Sequence, residues 1–185
     1  MAFDGITVAA VVQELEHTLV GGRISKIAQP ENDELLLTIK GNEGQKRLYI
    51  SASASLPLIY LTNENKPSPM TAPGFCMLLR KHITNATING VWQMPYERVL
   101  DFALSVTDDL GYRREMHLVF ELTGKTSNII LTDGEYITLD SIKDLPQDMN
   151  STRIVMSGAK YKFFDPQEKI QPFDMPRINE FLATC

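Results

Sequence analysis

Near the start of the chain, apolar residues recur every three or four positions, which is the spacing of one face of an α-helix. The residues of this stripe are Val8, Val12, Leu15 and Leu19. Gly21 and Gly22 follow directly, and glycine readily adopts the left-handed conformation in which many helices end. The pattern predicts an amphipathic helix that stops at this pair of glycines.

Short segments rich in β-branched and aromatic residues come next. They are 23–29, 34–41, 45–54 and 57–62. The linking residues 30–33 and 41–44 read Pro-Glu-Asn-Asp and Gly-Asn-Glu-Gly, which are compositions typical of turns. The pattern therefore predicts a meander of antiparallel strands.

Residues 63–71 form a polar stretch with prolines, which predicts a loop before a second helix from about Pro73 to Ile83. The apolar face of this helix comprises Phe75, Leu78, Leu79, His82 and Ile83, and the other face carries Met77, Arg80 and Lys81. We expect His82 to be packed and hydrogen-bonded, and Cys76 to lie at the edge of the core.

Beyond the second helix, the pattern returns to strands. The predicted segments are 86–94, 97–107, 112–123, 126–132 and 135–140. Residues 109–111 (Asp-Leu-Gly) predict a hairpin loop, and Asp133-Gly134 predicts a two-residue turn. Runs of strands with one helix at the start and one in the middle indicate an α+β domain, built on an antiparallel β-sheet or sandwich with flanking helices.

Composition limits the range of partners. The chain has 185 residues, 43% of them hydrophobic, which is enough for one domain with a substantial core. Its net charge of −5 argues against a generally basic nucleic-acid-binding surface. Residues 101–150 hold ten acidic side chains against four Lys or Arg, whereas residues 72–100 hold one against three. A nucleic acid would therefore have to dock on a local patch.

Signatures of common catalytic and metal sites are missing from the sequence. The two cysteines, Cys76 and Cys185, lack metal-ligand spacing, and the histidines His17, His82 and His117 lie far apart. His117 alternates with charged residues on a predicted strand, so we expect it to be exposed to solvent. We expect neither a metal nor a cofactor.

The location of the protein is predicted from its first residues and its thiols. The first twenty residues carry Asp4, Glu14 and Glu16 but no Lys or Arg, the wrong charge for a secretory signal. The purest apolar run there, 8–12, is far too short to span a membrane. Free thiols suit a reducing compartment, so we expect a cytoplasmic protein that is not in a membrane.

Gly124-Lys125-Thr126 has the appearance of the end of a phosphate-binding loop. That motif needs a glycine where Val119 stands, and it needs a helix where residues 128–131 predict a strand. We therefore interpret these residues as a hairpin turn.

Glu97-Arg98 is the most informative charged pair. In the strand that follows, the core face is marked by Leu100, Phe102, Leu104 and Val106, while Glu97, Asp101 and Ser105 mark the other face. Arg98 has the parity of the core residues, so its guanidinium must find a carboxylate, carbonyl groups or an external anion. Two interpretations stay open. One is a structural ion pair or an arginine reaching solvent at the edge, and the other is an arginine that binds a phosphate.

Other charged residues are candidates with simpler explanations. Asp4 precedes the first helix, where an aspartate most often caps the helix. Arg80 and Lys81 fit a solvated helix face, but with Arg23 and Lys26 they could form a small cationic patch.

Five blocks of residues, in this order, closely resemble the N-terminal domain of the NFACT family over about residues 1–165. This family includes bacterial RqcH, long labelled fibronectin-binding protein A, and eukaryotic NEMF. The blocks are Phe3-Asp4-Gly5 with Gly21-Gly22-Arg23-Ile24, Lys26, Gln29 and Pro30; Phe75-Cys76-Met77-Leu78-Leu79-Arg80-Lys81-His82; Glu97-Arg98; Gly124-Lys125-Thr126-Ser127-Asn128-Ile129-Ile130-Leu131; and Met149-Asn150-Ser151 with Gly158 and Tyr161.

The resemblance implies a factor of ribosome-associated quality control. Such proteins bind the large ribosomal subunit with peptidyl-tRNA still in place and recruit alanyl-tRNA, so that the stalled chain gains a C-terminal tail. Peptidyl transfer is the ribosome's chemistry, so no catalytic residue is expected. The family's Asp-Arg pair falls on Glu97-Arg98, with Glu97 replacing the aspartate, and its early aspartate falls on Asp4. Together with Arg80, Lys81 and Arg23, these are the predicted tRNA-binding residues.

The resemblance carries three further expectations. The fold should be similar to the N-terminal domain of the formamidopyrimidine-DNA glycosylases, but Ala2-Phe3 stand in place of their Pro-Glu nucleophile, which argues against glycosylase activity. Residues 166–185 should be a linker and the start of a helical region, in a chain that is part of a longer protein. The alternative function is a surface adhesin that binds fibronectin.

Overall fold

The computed structural model of the chain describes residues 4–95, 97–145 and 154–164, together with Pro176 and Ala183. Two α-helices and nine β-strands occur in these residues. The helices are α1 (Gly5–Leu19) and α2 (Gly74–Ile83). The strands are β1 (Arg23–Ala28), β2 (Glu34–Gly41), β3 (Gly44–Ser51), β4 (Leu58–Thr62), β5 (Thr87–Gln93), β6 (Val99–Thr107), β7 (Arg113–Glu121), β8 (Asn128–Asp133) and β9 (Thr138–Ser141). The predicted α+β class with an antiparallel sheet is confirmed.

The first helix follows the predicted pattern. Its buried residues are Val8, Val12, Leu15 and Leu19. The helix ends where Gly21 takes a positive φ of 83°, a conformation that glycine adopts without steric cost. The Gly22 amide then donates to the Leu19 carbonyl at 2.9 Å and leads the chain into β1.

All nine strands pair antiparallel in the order β4-β3-β2-β1-β5-β6-β7-β8-β9. They form one continuous sheet, in which β1 and β5 share a single register pair of residues, Arg23 with Thr87. We call its two halves the first sheet (β1–β4) and the second sheet (β5–β9). At the far ends of the two sheets, the Lys143 ammonium donates to the Ala52 carbonyl. Buried residues of both sheets and both helices share one main core.

Helix α2 packs against β1 of the first sheet and against β6 and β9 of the second. Phe75, Leu79 and Ile83 are buried in the main core, as predicted. Cys76 is also fully buried there rather than at the core edge, with its Sγ 3.8 Å from the Ile27 carbonyl oxygen. His82 is half-buried, and no hydrogen bond of its ring is found within the described part of the chain, so the prediction that it is hydrogen-bonded is wrong.

The outer face of the second sheet is covered as well, which the sequence did not indicate. Residues 154–164 lie against it, and Tyr161 packs with Val99, Val119 and Ile130 in a second apolar cluster. The prediction that His117 is exposed is therefore wrong: it lies on this covered face and is only 8% exposed.

Two turns test the predictions further. Gly124–Thr126 forms a short 3₁₀ turn followed by β8, which confirms a turn and not a phosphate-binding loop with a helix. The turn at Asp133-Gly134 is longer than the two residues predicted, because Asp133 Oδ1 accepts from the amides of Glu135 and Ile137. The predicted linker over 166–185 and the Met149-Asn150-Ser151 block lie outside the described residues, apart from Pro176 and Ala183.

Candidate nucleic-acid interface

Arg98 lies at the base of the hairpin that joins β5 and β6. Its carbonyl accepts from the Leu122 amide at 2.8 Å, so Arg98 stands opposite a residue of the main core. Residues paired across antiparallel strands share a face of the sheet. The predicted core register of Arg98 is thus confirmed, and its side chain is half-buried at the end of that face.

The guanidinium of Arg98 is available for an external ligand. Within the described ranges, neither a hydrogen bond nor an ion pair of this side chain occurs; Lys66 forms an ion pair with Glu34 there, and His117 is hydrogen-bonded to Asp101. A half-buried guanidinium offers donors in a planar fork that matches the oxygens of a phosphate or carboxylate. The arrangement can therefore bind an anion beside Arg98, where the loop from β5 enters β6.

Gln93 links the hairpin to the start of α1. Its side-chain Nε2 donates to the Gly5 carbonyl at 2.8 Å and to the Glu97 carbonyl at 2.7 Å. Both hydrogens of the amide are then used. Asp4 and Arg98 are each next in sequence to one of these carbonyl groups, so the structure brings the two predicted residues to the same end of the domain.

Asp4 is the N-cap of α1, as the local pattern predicted. Its Oδ1 accepts from the Thr7 amide at 2.7 Å, and this hydrogen bond is the main reason why the pKa of the carboxyl is lowered. The side chain is exposed, so a capping residue can still present a negative charge to solvent.

We predict that Asp4→Ala lowers the melting temperature by a few degrees, whereas Asp4→Asn keeps most of the cap. The depressed pKa means that the contribution of the carboxylate is complete above the ordinary aspartate pKa and is lost as the pH falls through the lower folded-state value. Thermal unfolding at pH 7 and pH 3 measures both effects. Equal melting temperatures for wild type and Asp4→Ala at pH 7 would contradict the capping role.

Arg80 and Lys81 lie elsewhere, on the exposed side of α2. The Arg80 Nε donates to the Ile27 carbonyl at 3.0 Å, which places this side chain beside β1. Lys81 faces solvent near the end of the helix. Burial lowers the pKa of the neighbouring His82, and the charges of Lys81 and Arg114 lower it further.

Arg23 is separated from Arg98 by the length of a strand. It pairs with Thr87 at the start of β5, whereas the hairpin with Arg98 follows the end of that strand. A strand of 7 residues spans roughly 20 Å. On its other side Arg23 pairs with Lys40 of β2, and the six predicted residues do not form one groove.

Sequence reasoning missed two features of this molecule. Gln93 gave no signal, because an amide near a strand end is common and its partner Gly5 is distant in sequence. The second is a buried polar cluster around Asp101, which accepts from Trp92 Nε1 at 3.0 Å, Tyr136 Oη at 2.5 Å and His117 Nδ1 at 3.0 Å. Burial and the bond to Asp101 raise the pKa of Tyr136.

The described residues contain no group of three or more His, Cys, Asp or Glu side chains arranged to hold a metal ion. No helix within them has the length and apolar character needed to cross a membrane.

Comparison with curated proteins gives relatives along almost the whole chain. The chain is 35% identical over 175 residues to the Rqc2 homolog RqcH of Bacillus subtilis, covering 94% of this chain and 31% of that protein. It is 28% identical to the ribosome quality control complex subunit NEMF of Homo sapiens, covering 99% of this chain and 16% of that one. The chain thus spans about a third of the bacterial relative.

Solved structures agree with this result. The N-terminal domain of the fibronectin-binding protein PavA from Streptococcus pneumoniae matches with a TM-score of 0.89 and 33% identity, over 98% of this chain and 69% of that one. The N-terminal part of the fibronectin/fibrinogen-binding protein from Streptococcus suis matches with a TM-score of 0.91 and 32% identity, over 99% and 70%. The family model described as NFACT N-terminal and middle domains matches residues 4–185. With these matches along its length, the chain belongs to the NFACT family.

Proposed function

We propose that this chain is the N-terminal module of a cytoplasmic ribosome-associated quality control factor and that it binds tRNA and the large ribosomal subunit. The names of its relatives, Rqc2 homolog RqcH and ribosome quality control complex subunit NEMF, support the general role. The observation that carries the binding role is the half-buried Arg98 guanidinium, which has no ion pair within the described residues.

In this proposal Arg98 binds a phosphate of the tRNA, alanyl-tRNA being the expected substrate. Glu97, one residue away and half-buried, and the Asp4 carboxylate border the same end of the domain. Carboxylates cannot bind phosphate, but they can accept hydrogen bonds from ribose hydroxyls or base amino groups. The module has no catalytic role of its own, because the ribosome transfers the nascent peptide from peptidyl-tRNA to the amine of each alanyl-tRNA and so lengthens the tail.

The test measures the affinity of the full-length protein, of which this domain is a part, for alanyl-tRNA. We expect Arg98→Ala to weaken alanyl-tRNA binding about tenfold or more, because a charge-assisted contact to phosphate is lost. We also expect the dependence of log K on log salt to become shallower by about one unit. The matched control is Arg113→Ala, an exposed arginine at the opposite end of the second sheet. Unchanged affinity of Arg98→Ala at several salt concentrations would refute the role of Arg98.

The alternative, an adhesin, has its support in the fibronectin-binding names of two structural neighbours. Fractionation of cells distinguishes the two functions. We expect the protein to sediment with large ribosomal subunits after splitting of stalled ribosomes. Recovery at the cell surface together with saturable fibronectin binding would favour the adhesin instead.

A further inference from the structure

The outer face of the first sheet has an unusual composition, which the strand register makes explicit. Here the outer face means the side of β1–β4 that is turned away from the main core. One row of directly paired residues on it is Arg23, Lys40 and Gln45; the next is Lys26, Thr38, Arg47 and Thr62; the third is Ala28, Leu36, Tyr49 and Tyr60. The alternating rows are apolar and fill the main core, for example Ile27, Leu37, Leu48 and Leu61.

Four cations therefore lie in two adjacent rows of a chain whose net charge is −5. Arg23, Lys26 and Lys40 are exposed, and Arg47 is half-buried with its Nη1 donating to the Asn63 carbonyl at 2.8 Å. Ion pairs of these four side chains are absent from the described part of the chain. Neighbouring strands are about 4.8 Å apart, so the four positive charges attract one compact polyanion.

The acidic residue within these four strands is Glu34, and its charge is already neutralised. Its carboxylate forms an ion pair with Lys66, whose ammonium lies 5.4 Å from the centre of the Tyr49 ring. The face as a whole is therefore strongly positive, in contrast to the acidic composition of the chain.

Aromatic rings complete the outer face. Tyr49 and Tyr60 are neighbours with ring centres 5.2 Å apart and planes tilted by 52°. Lys66 occupies a face of the Tyr49 ring, whereas Tyr60 is 45% exposed. An exposed aromatic ring beside a row of cations is the combination with which proteins bind single-stranded nucleic acids, because a base stacks on the ring while phosphates contact the cations.

We propose that the outer face of the first sheet is a second RNA-binding surface, specific for unpaired nucleotides, with Tyr60 stacking on a base and Arg23, Lys26, Lys40 and Arg47 binding the backbone. A base paired in a duplex has both of its faces stacked on neighbouring bases, so the ring of Tyr60 requires an unpaired one. The choice of RNA over DNA rests on the proposed function, which supplies RNA as the partner.

This surface is separate from the hairpin that carries Arg98. The two lie at opposite ends of β5, roughly 20 Å apart, and on opposite sides of the strands: Arg23 is in an outer row, whereas Arg98 has the register of the core residues. Substitutions at one surface leave the other intact, so the two proposals can fail independently.

The test measures binding of a fluorescein-labelled uridine 12-mer to the 185-residue chain by anisotropy at low salt. We expect the triple variant Arg23→Ala, Lys26→Ala, Lys40→Ala to bind at least tenfold more weakly, with a salt dependence shallower by about two units. The matched control replaces three exposed cations of the second sheet and its turn, namely Arg113, Arg114 and Lys125, with alanine. An equal loss of affinity in the control variant would show that binding depends only on the net charge of the protein, and it would overturn the proposal.

Stacking is tested separately at Tyr60. We expect Tyr60→Ala to weaken binding about tenfold without changing the salt dependence, and Tyr60→Phe to bind like wild type, because a phenyl ring keeps the stacking surface. No effect of Tyr60→Ala, or equal binding of an RNA duplex, would rule out recognition of unpaired bases. Equal binding of a thymidine 12-mer would reject RNA as the specific ligand.

The Arg98→Ala variant separates this proposal from the proposed function. It should bind the uridine 12-mer as wild type does. If wild type fails to bind the 12-mer while Arg98→Ala still weakens tRNA binding in the longer protein, the second surface is rejected and the proposed function stands.

Discussion

Asp101→Ala is expected to destabilise the domain by about 3–5 kcal/mol, one of the two largest effects that we predict. The carboxylate is only 1% exposed and accepts from Trp92, Tyr136 and His117. Its removal leaves three donors without their acceptor; Trp92 is 47% exposed and Tyr136 is half-buried, but His117 is only 8% exposed, and a buried donor left without an acceptor costs about 1–3 kcal/mol. The free energy of unfolding in urea measures the loss.

Asp101→Asn should be intermediate, because its amide oxygen can still accept hydrogen bonds while its amide nitrogen cannot. The matched control is Asp109→Ala in the exposed loop between β6 and β7, which should change stability by less than about 0.5 kcal/mol. A loss below about 1 kcal/mol for Asp101→Ala would mean that the three donors find other partners.

Gly22→Ala is expected to cost about 2–3 kcal/mol and to lower the melting temperature by about 5–10 °C. A Cβ at this position would lie 2.7 Å from Ile39 Cγ2 and 2.9 Å from the Leu19 carbonyl oxygen. The carbonyl belongs to the last turn of α1 and accepts the Gly22 amide, so it cannot move away without breaking the connection from helix to sheet. Differential scanning calorimetry measures the shift.

Gly74→Ala is the matched control for this prediction. Gly74 begins α2, and a Cβ there would meet nothing within 4 Å. Because alanine restricts the unfolded chain and favours helix, we expect stability to stay equal or to rise by up to about 1 kcal/mol. If both alanine variants melted at the same temperature, steric crowding at Gly22 would not be the reason for glycine there.

The two candidate surfaces explain how an acidic chain can serve as an RNA-binding module. The segment 101–150 holds ten acidic residues, and nine of them lie in 101–145, which belong to the second sheet and its turns. The four cations of the outer face lie on the first sheet, at the other side of the single β1–β5 pair. Acidic residues are thus concentrated on the second sheet and the four cations on the first. The net charge of −5 for the whole chain therefore does not describe the local charge of the first sheet, which a polyanion would contact.

The elements were largely predictable because their signal is local. The alternation of apolar and polar residues along β6 predicted that Leu100, Phe102 and Leu104 face the core, and in the structure all three are buried there. The same alternation put Arg98 on the core side, where it stands opposite Leu122. The tRNA-binding roles of Arg98, Glu97, Asp4, Arg80, Lys81 and Arg23 stay predictions.

His117 shows where local reasoning fails. Its neighbours on β7 include the exposed Glu115, so the pattern indicates a solvated face. Residues 154–164 come back over that face, where Tyr136 stacks on the His117 ring at 4.1 Å between centres. Nothing in the sequence around His117 contains this information, because residues 154–164 are separated from it by more than thirty positions.

By itself, the sequence determined the helices, the strands and the side of each strand that faces the core, since side-chain periodicity depends only on neighbouring residues. Tertiary structure alone decided that residues 154–164 cover the outer face of the second sheet, and it placed Arg23, Arg80 with Lys81, and Arg98 at separate positions. Arg23 joined Lys40 and Arg47 instead of Arg98 because hydrogen-bonded register between strands sets which side chains are neighbours. That register is a property of pairs of strands, and no single segment of the chain contains it.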